Sequence, residues 1–131
     1  NDIRLSFVTN GLEFYVDALL RKAGLRNIPS FSVTVEGKPR KLRYDYPYAT
    51  KECWEWGNCK CKILNQHRAN GSKIVYVGDG LSDLCASQKA DFVFARSTLL
   101  SHCRQLKLPF LEFTNFYDVL AALKLGIPSV W

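Results

Sequence analysis

The chain has 131 residues, with 18 lysines and arginines against 12 aspartates and glutamates, which gives a formal net charge of +6 at pH 7. Hydrophobic residues make up 47% and charged residues 23%, and this mixture excludes a disordered chain, a collagen-like chain and a coiled coil. No apolar run reaches the about 18 residues that a membrane span needs, so we expect no membrane partner. The sequence has no initial methionine, and we expect it to be part of a longer protein.

The first third of the chain predicts a strand, a turn, a helix and a hairpin. Ile3 to Thr9 is an apolar, β-rich run, Asn10-Gly11 is a turn signal, and apolar residues at helical spacing follow from Leu12 until Gly24 stops the helix. Residues 31–35 and 41–46 then predict two strands joined through a turn at 36–38, because polar and apolar residues alternate on both sides of a glycine.

The remainder of the chain alternates between helix and strand patterns after an irregular, aromatic segment at residues 47–58. The predicted elements are a helix over 61–69, a strand over 73–77, a turn at Gly78-Asp79-Gly80, a strand over 91–95, a helix capped by Ser97, a strand over 109–113 and a helix capped by Asn115. Strands that alternate with helices predict an α/β fold with a parallel sheet and right-handed crossovers.

Polar residues with a shared chemistry follow the predicted strands, where ligands bind in open α/β sheets. Thr9-Asn10-Gly11 offers a hydroxyl and backbone N–H groups for a phosphate, and Lys60 or Lys62 offers a neutralising charge. Asp79, in a tight glycine turn, offers the oxygen ligand that Mg²⁺ prefers, and Asp83 follows at the start of a helix. Each residue alone also fits an ordinary structural role, but together they suit phosphoryl transfer, which depends on positioning and charge neutralisation.

The order of these residues resembles that of the haloacid dehalogenase-like phosphatases, in their phosphoserine-phosphatase-like branch. The resemblance extends from Leu5 to about Leu123, in the stretches FVTNGLEFYV, GNCKCKIL, IVYVGDGLSD and ADFVFAR. The most similar group is the methionine-salvage phosphatases that act on 2-hydroxy-3-keto-5-methylthiopentenyl-1-phosphate. The resemblance implies a Rossmann-like, three-layer parallel sheet with a small β-hairpin insertion. It does not name the substrate, because one fold serves many reactions.

The resemblance also implies roles for individual residues. Thr9-Asn10-Gly11 would bind the transferring phosphate, with Thr9 as the hydroxyl of the second motif. Lys62 would be the lysine of the third motif, which steadies the phosphate and the nucleophile, and Lys60 is the alternative. Asp79 and Asp83 would form the metal site, with Mg²⁺ as the cofactor.

One departure from the family pattern is large. The family's nucleophile and general acid are the two aspartates of a DxDx[TV] motif, and no D-x-D occurs in these residues. In the family, the strand with that motif lies mid-sheet, between the strands that precede Thr9 and Asp79. Its omission, with that of the cap after it, would leave two rows of backbone groups unpaired. Residues 1–131 are therefore predicted to be the C-terminal part of the core domain, inactive without the missing N-terminal segment.

We therefore expect Mg²⁺-dependent hydrolysis of a small phosphorylated metabolite through an aspartyl-phosphate intermediate. One alternative is a non-catalytic binding or regulatory domain on the same fold, which the missing motif favours. A nucleotide-binding domain of another kind ranks low because no G-x-G-x-x-G follows the first strand.

The five cysteines bear on a further alternative. An odd number in a chain of this length does not predict a secreted disulfide framework, so we expect a reducing, cytoplasmic setting. Cys53, Cys59 and Cys61 cluster in one loop, and we expect them to be thiols without a special role. A zinc-dependent nucleic-acid-binding module would use Cys53, Cys59, Cys61 and His67. Their C-x5-C-x-C spacing lacks paired C-x2-C knuckles, so we rank zinc and nucleic acid low as partners.

Overall fold

The computed structural model describes residues 3–127, and its contacts divide the chain into two compact units, residues 1–60 and residues 61–131. Both units combine strands with helices, which confirms the predicted α/β class. Within residues 3–127, no helix has the length and apolar character to cross a membrane.

The first unit contains a three-stranded sheet and one long helix. Strand β1 (Phe7–Leu12) leads into helix α1 (Glu13–Lys22), and strands β2 (Ser30–Lys38) and β3 (Lys41–Asp45) follow. The strand order is β1-β2-β3, with β1 parallel to β2 and β2 antiparallel to β3. A one-turn 3-10 helix occupies Trp54–Trp56 in the aromatic segment.

The predicted hairpin is confirmed, and so is the end of the first helix. Lys38 pairs with Lys41 and Thr34 with Asp45 in an unbroken antiparallel register, so the turn lies at residues 39–40 and its predicted position at 36–38 is wrong. Gly37 lies within β2, where a Cβ would clash with the backbone oxygen of Lys41. Helix α1 ends at Lys22, and Gly24 follows with φ +73°, a conformation that glycine adopts without the steric cost that a Cβ imposes.

The second unit alternates helices and strands, in the predicted order. Its elements are α2 (Lys60–Ala69), β4 (Val75–Gly78), α3 (Leu84–Lys89), β5 (Phe92–Ala95), α4 (Ser97–Leu106), β6 (Phe110–Glu112) and α5 (Phe116–Leu125). A 3-10 turn at Leu81–Asp83 precedes α3. The sheet order is β4-β5-β6, and both neighbouring pairs are parallel.

The core of the second unit is built on β5, the central strand. All four residues of β5 are buried, as expected for a strand covered on both faces. Phe92 and Phe94 pack edge to face with ring centroids 5.5 Å apart. The buried cluster comprises Phe92, Phe94, Phe113, Val119 and Ile127. Burial of each such side chain contributes about 1.5–3 kcal/mol, so this cluster fixes the sheet whose strand ends hold the predicted metal site.

Two helix starts were predicted from capping residues, and one prediction was wrong. Asn115 does cap α5, because its Oδ1 accepts a hydrogen bond from Tyr117 N at 2.8 Å. Ser97 does not cap α4. Arg96 occupies the N-cap position, and Ser97 is the first helical residue, with φ +52°. Serine is common at caps, but here the path of the chain out of β5 places the helix start one residue earlier.

A disulfide bond joins Cys61 in α2 to Cys85 in α3. The sequence did not predict this bond. Cys61 was grouped with the loop thiols although it begins the predicted helix over 61–69, and it lies in the first turn of α2. While the bond is formed, Cys61 cannot serve as a zinc ligand beside Cys53, Cys59 and His67. The expectation that the loop thiols have no special role is therefore wrong for Cys61.

One carboxylate links the loop before β4 to the loop before β5. Asp91 Oδ2 accepts a hydrogen bond from Ile74 N at 2.7 Å and lies 3.1 Å from Arg68 Nη2, and Lys73 Nζ lies 3.9 Å from its other oxygen. Partial burial by itself raises the pKa of Asp91. The Ile74 hydrogen bond and the Arg68 charge outweigh burial, so the pKa lies below its ordinary value.

Because the folded state lowers this pKa, Asp91 stabilises the fold above the unfolded-state pKa of about 3.9, and this stabilisation is lost as the pH falls through the lower folded-state value. We expect Asp91→Asn to lower the free energy of unfolding by about 1–3 kcal/mol at pH 7 and to flatten its acid dependence. Urea unfolding between pH 7 and 2.5 measures both effects. Glu112→Gln, which breaks an exposed ion pair with Arg104, should change stability by less than about 1 kcal/mol, and an equal loss in the two variants would contradict this account.

Candidate active site

Thr9, Asn10 and Gly11 lie inside β1, whereas the sequence placed a turn after Thr9. The register between β1 and β2 shifts between Val8 and Leu12, so the strand is locally irregular at these three residues. Gly11 N donates a hydrogen bond to Thr9 Oγ1 at 3.0 Å. A Cβ at position 11 would lie 3.2 Å from that oxygen. Glycine therefore allows the backbone to close around the Thr9 hydroxyl.

The Asn10 side chain fastens β1 to the aromatic segment of the same unit. Its Nδ2 donates to Trp56 O at 2.6 Å, and its Oδ1 accepts from Asn58 N at 2.9 Å. The resemblance implied a role for the Asn10 backbone only. The structure adds that the side chain holds residues 56–58 beside the predicted phosphate-binding residues.

Asn58 belongs to this region too, although its sequence context does not indicate a functional role. It is 1% exposed, and its Oδ1 accepts a hydrogen bond from Tyr48 N at 3.1 Å. Its Nδ2 is buried without a hydrogen-bond partner in the part of the chain that the structure describes. Buried polar groups are nearly always paired, so such an amide suggests a donor for a ligand or water. A lone asparagine in an irregular segment offers no sequence signal for this role.

Asp79 and Asp83 lie together at the carboxyl end of β4, as the GDGxxD spacing predicted, but in different environments. Asp83 is 4% exposed, and its Oδ2 accepts hydrogen bonds from Asp79 N and Gly80 N, each at 2.9 Å. The Asp79 side chain is 58% exposed. The buried carboxylate thus holds the turn that presents the exposed one.

Tyr76 completes the support of this turn from within β4. Its hydroxyl donates a 2.6 Å hydrogen bond to Asp83 Oδ1. Burial raises the pKa of Tyr76, and the negative charge of Asp83 raises it further, so the hydroxyl stays protonated and remains a donor. Nothing in the sequence marks Tyr76 as part of the site, because it reads as one more apolar residue of a buried strand.

The donor set of this turn fits Mg²⁺. Asp79 offers an exposed carboxylate on a rigid turn, and Mg²⁺ in phosphate-processing sites takes one or two carboxylates, with water and substrate oxygens completing six ligands. Arg96 Nη2 lies 3.6 Å from Asp79 Oδ2. Asp83 already accepts three hydrogen bonds, which suits a role in orienting Asp79 better than direct coordination.

Of the two glycines in the turn, Gly78 has no room for a side chain, whereas Gly80 has. A Cβ at Gly78 would lie 2.7 Å from Asp83 Oδ2 and 2.9 Å from Tyr76 Cε1, closer than real contacts allow. A Cβ at Gly80 would lie 3.9 Å from the same Asp83 oxygen, an ordinary contact. The first glycine therefore makes room for the buried carboxylate.

We expect Gly78→Ala to displace Asp83 and to lower the free energy of unfolding by about 1–3 kcal/mol, the usual cost of overpacking. Gly80→Ala, which is nearer to Asp83 in the sequence but produces no clash with its carboxylate, is the matched control and should stay within about 1 kcal/mol of the parent. Urea unfolding of the two variants measures the difference. Equal stabilities would show that the turn does not depend on the close approach of Asp83 to Gly78.

Lys62 lies in the first turn of α2 and is half-buried. Its ammonium makes no hydrogen bond or ion pair with the residues between 3 and 127. Lys60, the alternative, is also half-buried, but it does interact with other groups. A half-buried lysine whose ammonium has no partner among residues 3–127 favours Lys62 as the charge that a phosphate would neutralise. The convergence of Thr9 and Lys62 on Asp79 stays a prediction.

No family model matches the chain. Curated relatives named 2-hydroxy-3-keto-5-methylthiopentenyl-1-phosphate phosphatase match most of it. Those from Geobacillus kaustophilus and Geobacillus thermodenitrificans are 34% and 31% identical, each over 93% of this chain and 56% of the relative. The one from Bacillus mycoides is 27% identical over 95% of this chain and 57% of the relative. The matches confirm the resemblance predicted from the motifs, and the chain spans about half the length of these relatives.

Proposed function

We propose, from the similarity of this chain to these phosphatases, that it contributes to the Mg²⁺-dependent hydrolysis of a small phosphomonoester through an aspartyl-phosphate intermediate. The nucleophilic aspartate would come from a segment outside these residues. The observation that carries the proposal is the turn after β4, where buried Asp83 holds exposed Asp79 at the carboxyl end of a parallel strand. The similarity and the donor set support the same chemistry.

Asp79 would hold the metal, and Asp83 would orient Asp79 through the two backbone N–H groups of the turn. Bound Mg²⁺ would neutralise charge on the phosphate oxygens. Because Asp83 is held by Tyr76 and bonds the N–H groups of Asp79 and Gly80, the backbone that carries Asp79 would not have to reorganise when a cation binds. Rigid support of this kind is what positioning of a phosphoryl group requires.

Thr9 and Lys62 would bind the phosphate. Thr9 Oγ1 accepts the hydrogen bond of Gly11 N, so its own O–H proton stays available to donate to a phosphate oxygen. The ammonium of Lys62 would supply a positive charge, and its half-buried position would strengthen that interaction relative to an exposed lysine.

The outer strands β1 and β4 favour pairing with an additional strand from a segment outside these residues. Strands β1 and β4 are each the outer member of their three-stranded sheet. Residues 75–77 of β4 are Val-Tyr-Val, a run that is typical of a strand paired on both sides, whereas natural edge strands are usually short, bulged or charged. The N-terminal segment that completes the site would therefore add a strand at such an edge, and this segment is the partner that we propose.

The full-length protein should release inorganic phosphate from small phosphomonoesters only when Mg²⁺ is present. Asp79→Asn should lower kcat by about 100-fold or more, as removal of a charge-stabilising group does, whereas Asp17→Asn, which changes an exposed carboxylate on α1, should leave it unchanged. A colorimetric assay of phosphate release measures both. The proposal fails if no phosphomonoester is hydrolysed, or if Asp79→Asn keeps full activity.

A second comparison separates the two lysines. If Lys62 binds the phosphate, Lys62→Gln should lower kcat/KM by about 100-fold, the usual effect of losing a buried charge-assisted contact, and Lys60→Gln by about tenfold or less. The same phosphate-release assay applies, with thermal unfolding as the control for folding. A larger loss in Lys60→Gln would assign the third-motif role to Lys60.

A non-catalytic domain of the same fold is the second candidate, and the absence of any D-x-D in the 131 residues favours it. It would be preferred if the full-length protein binds phosphate esters in the presence of Mg²⁺ without hydrolysing them.

We also propose a cytoplasmic setting for the hydrolytic function, because small phosphorylated metabolites are the expected substrates.

A further inference from the structure

Arg96 lies where three strand ends of the second unit meet. It follows β5 directly, and its Nη2 lies 3.6 Å from Asp79 Oδ2, beyond the end of β4. Its Nη1 donates a 3.2 Å hydrogen bond to Thr114 O, beyond the end of β6. The parallel register brings these ends to one edge of the sheet, since Gly78 pairs with Ala95 and Ala95 with Glu112.

The guanidinium packs against an aromatic ring, yet much of the side chain stays exposed. Its Cζ lies 5.6 Å above the centre of the Phe113 ring, a buried aromatic face that attracts a cation and restrains the plane of the group. The Arg96 side chain is nevertheless 47% exposed. The restrained plane therefore presents an open edge to the solvent, beside the predicted metal ligand.

Most of the donors of Arg96 are not used. A guanidinium has five N–H groups, and the Thr114 bond is the hydrogen bond that its side chain makes within residues 3–127. The Asp79 oxygen is too distant for a hydrogen bond, and a pair in which both side chains are about half exposed stabilises a fold by less than about 1 kcal/mol. The pair with Asp79 thus does not account for the placement of Arg96.

We propose that Arg96 binds an oxyanion, the phosphate group of the substrate or the inorganic phosphate product, beside the cation held by Asp79. The inference rests on the proposed function, because it takes Asp79 as the cation site. A planar guanidinium fork matches two phosphate oxygens, and a phosphate shared by a cation and an arginine satisfies both positive charges, which would otherwise repel each other. Arg96 is therefore a binding residue for the phosphoryl group in addition to Thr9 and Lys62.

The test is the affinity of the full-length protein for inorganic phosphate, measured by isothermal titration calorimetry with and without Mg²⁺. Arg96→Gln should raise the Kd for phosphate by about 10- to 100-fold, the effect of losing charge-assisted hydrogen bonds. Arg96→Lys keeps the charge but loses the fork, and its Kd should lie between those of the parent and Arg96→Gln. Arg104→Gln is the matched control, because Arg104 lies in α4, the helix that Arg96 directly precedes, and pairs with exposed Glu112; it should bind phosphate like the parent.

Two results would overturn the inference. Equal phosphate affinity in Arg96→Gln and Arg104→Gln would show that Arg96 only joins the strand ends. Tighter Mg²⁺ binding in Arg96→Gln with unchanged phosphate affinity would show that Arg96 only neutralises Asp79. The proposed function is tested separately: if phosphate binding depends on Arg96 but no phosphomonoester is hydrolysed, the binding role stands and the hydrolytic function fails. Thermal unfolding verifies that each variant is folded, and Arg96→Lys keeps the test decisive if Arg96→Gln does not fold.

Discussion

The carboxylate of Asp83 organises the part of this protein on which its chemistry would depend. A buried charge is costly unless hydrogen bonds compensate it, and Asp83 accepts them from the Tyr76 hydroxyl and from the N–H groups of Asp79 and Gly80. The bonds to Asp79 and Gly80 fix the backbone of a two-residue turn. This turn presents the Asp79 carboxylate to the solvent. Asp83 therefore positions the proposed cation ligand without having to contact the cation itself.

That arrangement is possible only because the second unit has a rigid parallel sheet. Strand β5 is buried along its whole length, and Phe94 lies in a cluster with Phe113 and other apolar side chains. Parallel pairing places the carboxyl ends of β4, β5 and β6 at one edge. Asp79, Arg96 and Thr114 follow these three ends, so a negative charge, a positive charge and a backbone acceptor meet there without any long-range loop.

The helices next to this edge are constrained as well. The Cys61–Cys85 disulfide joins α2, which contains Lys62, to α3, which begins directly after Asp83. A cross-link over 24 residues removes freedom mainly from the unfolded chain, by about 3 kcal/mol in the simplest model. The same bond relates two of the predicted site elements covalently, which isolated loop thiols would not do.

The amino-acid sequence by itself determined the order of the elements, the hairpin, the Asn115 cap and the GDGxxD turn, because each depends on residues within a few positions of one another. The tertiary structure alone decided that Tyr76 supports Asp83, that Gly78 leaves room for that carboxylate, that Cys61 bonds to Cys85 and that Arg96 lies beside Asp79. These relations join residues on different strands and helices, and local periodicity contains no information about which side chains packing will bring into contact. Ser97 is the opposite case, in which a local signal was misleading. Serine often caps helices, but the path of the chain out of the buried strand β5 places Arg96 at the N-cap and Ser97 inside the helix.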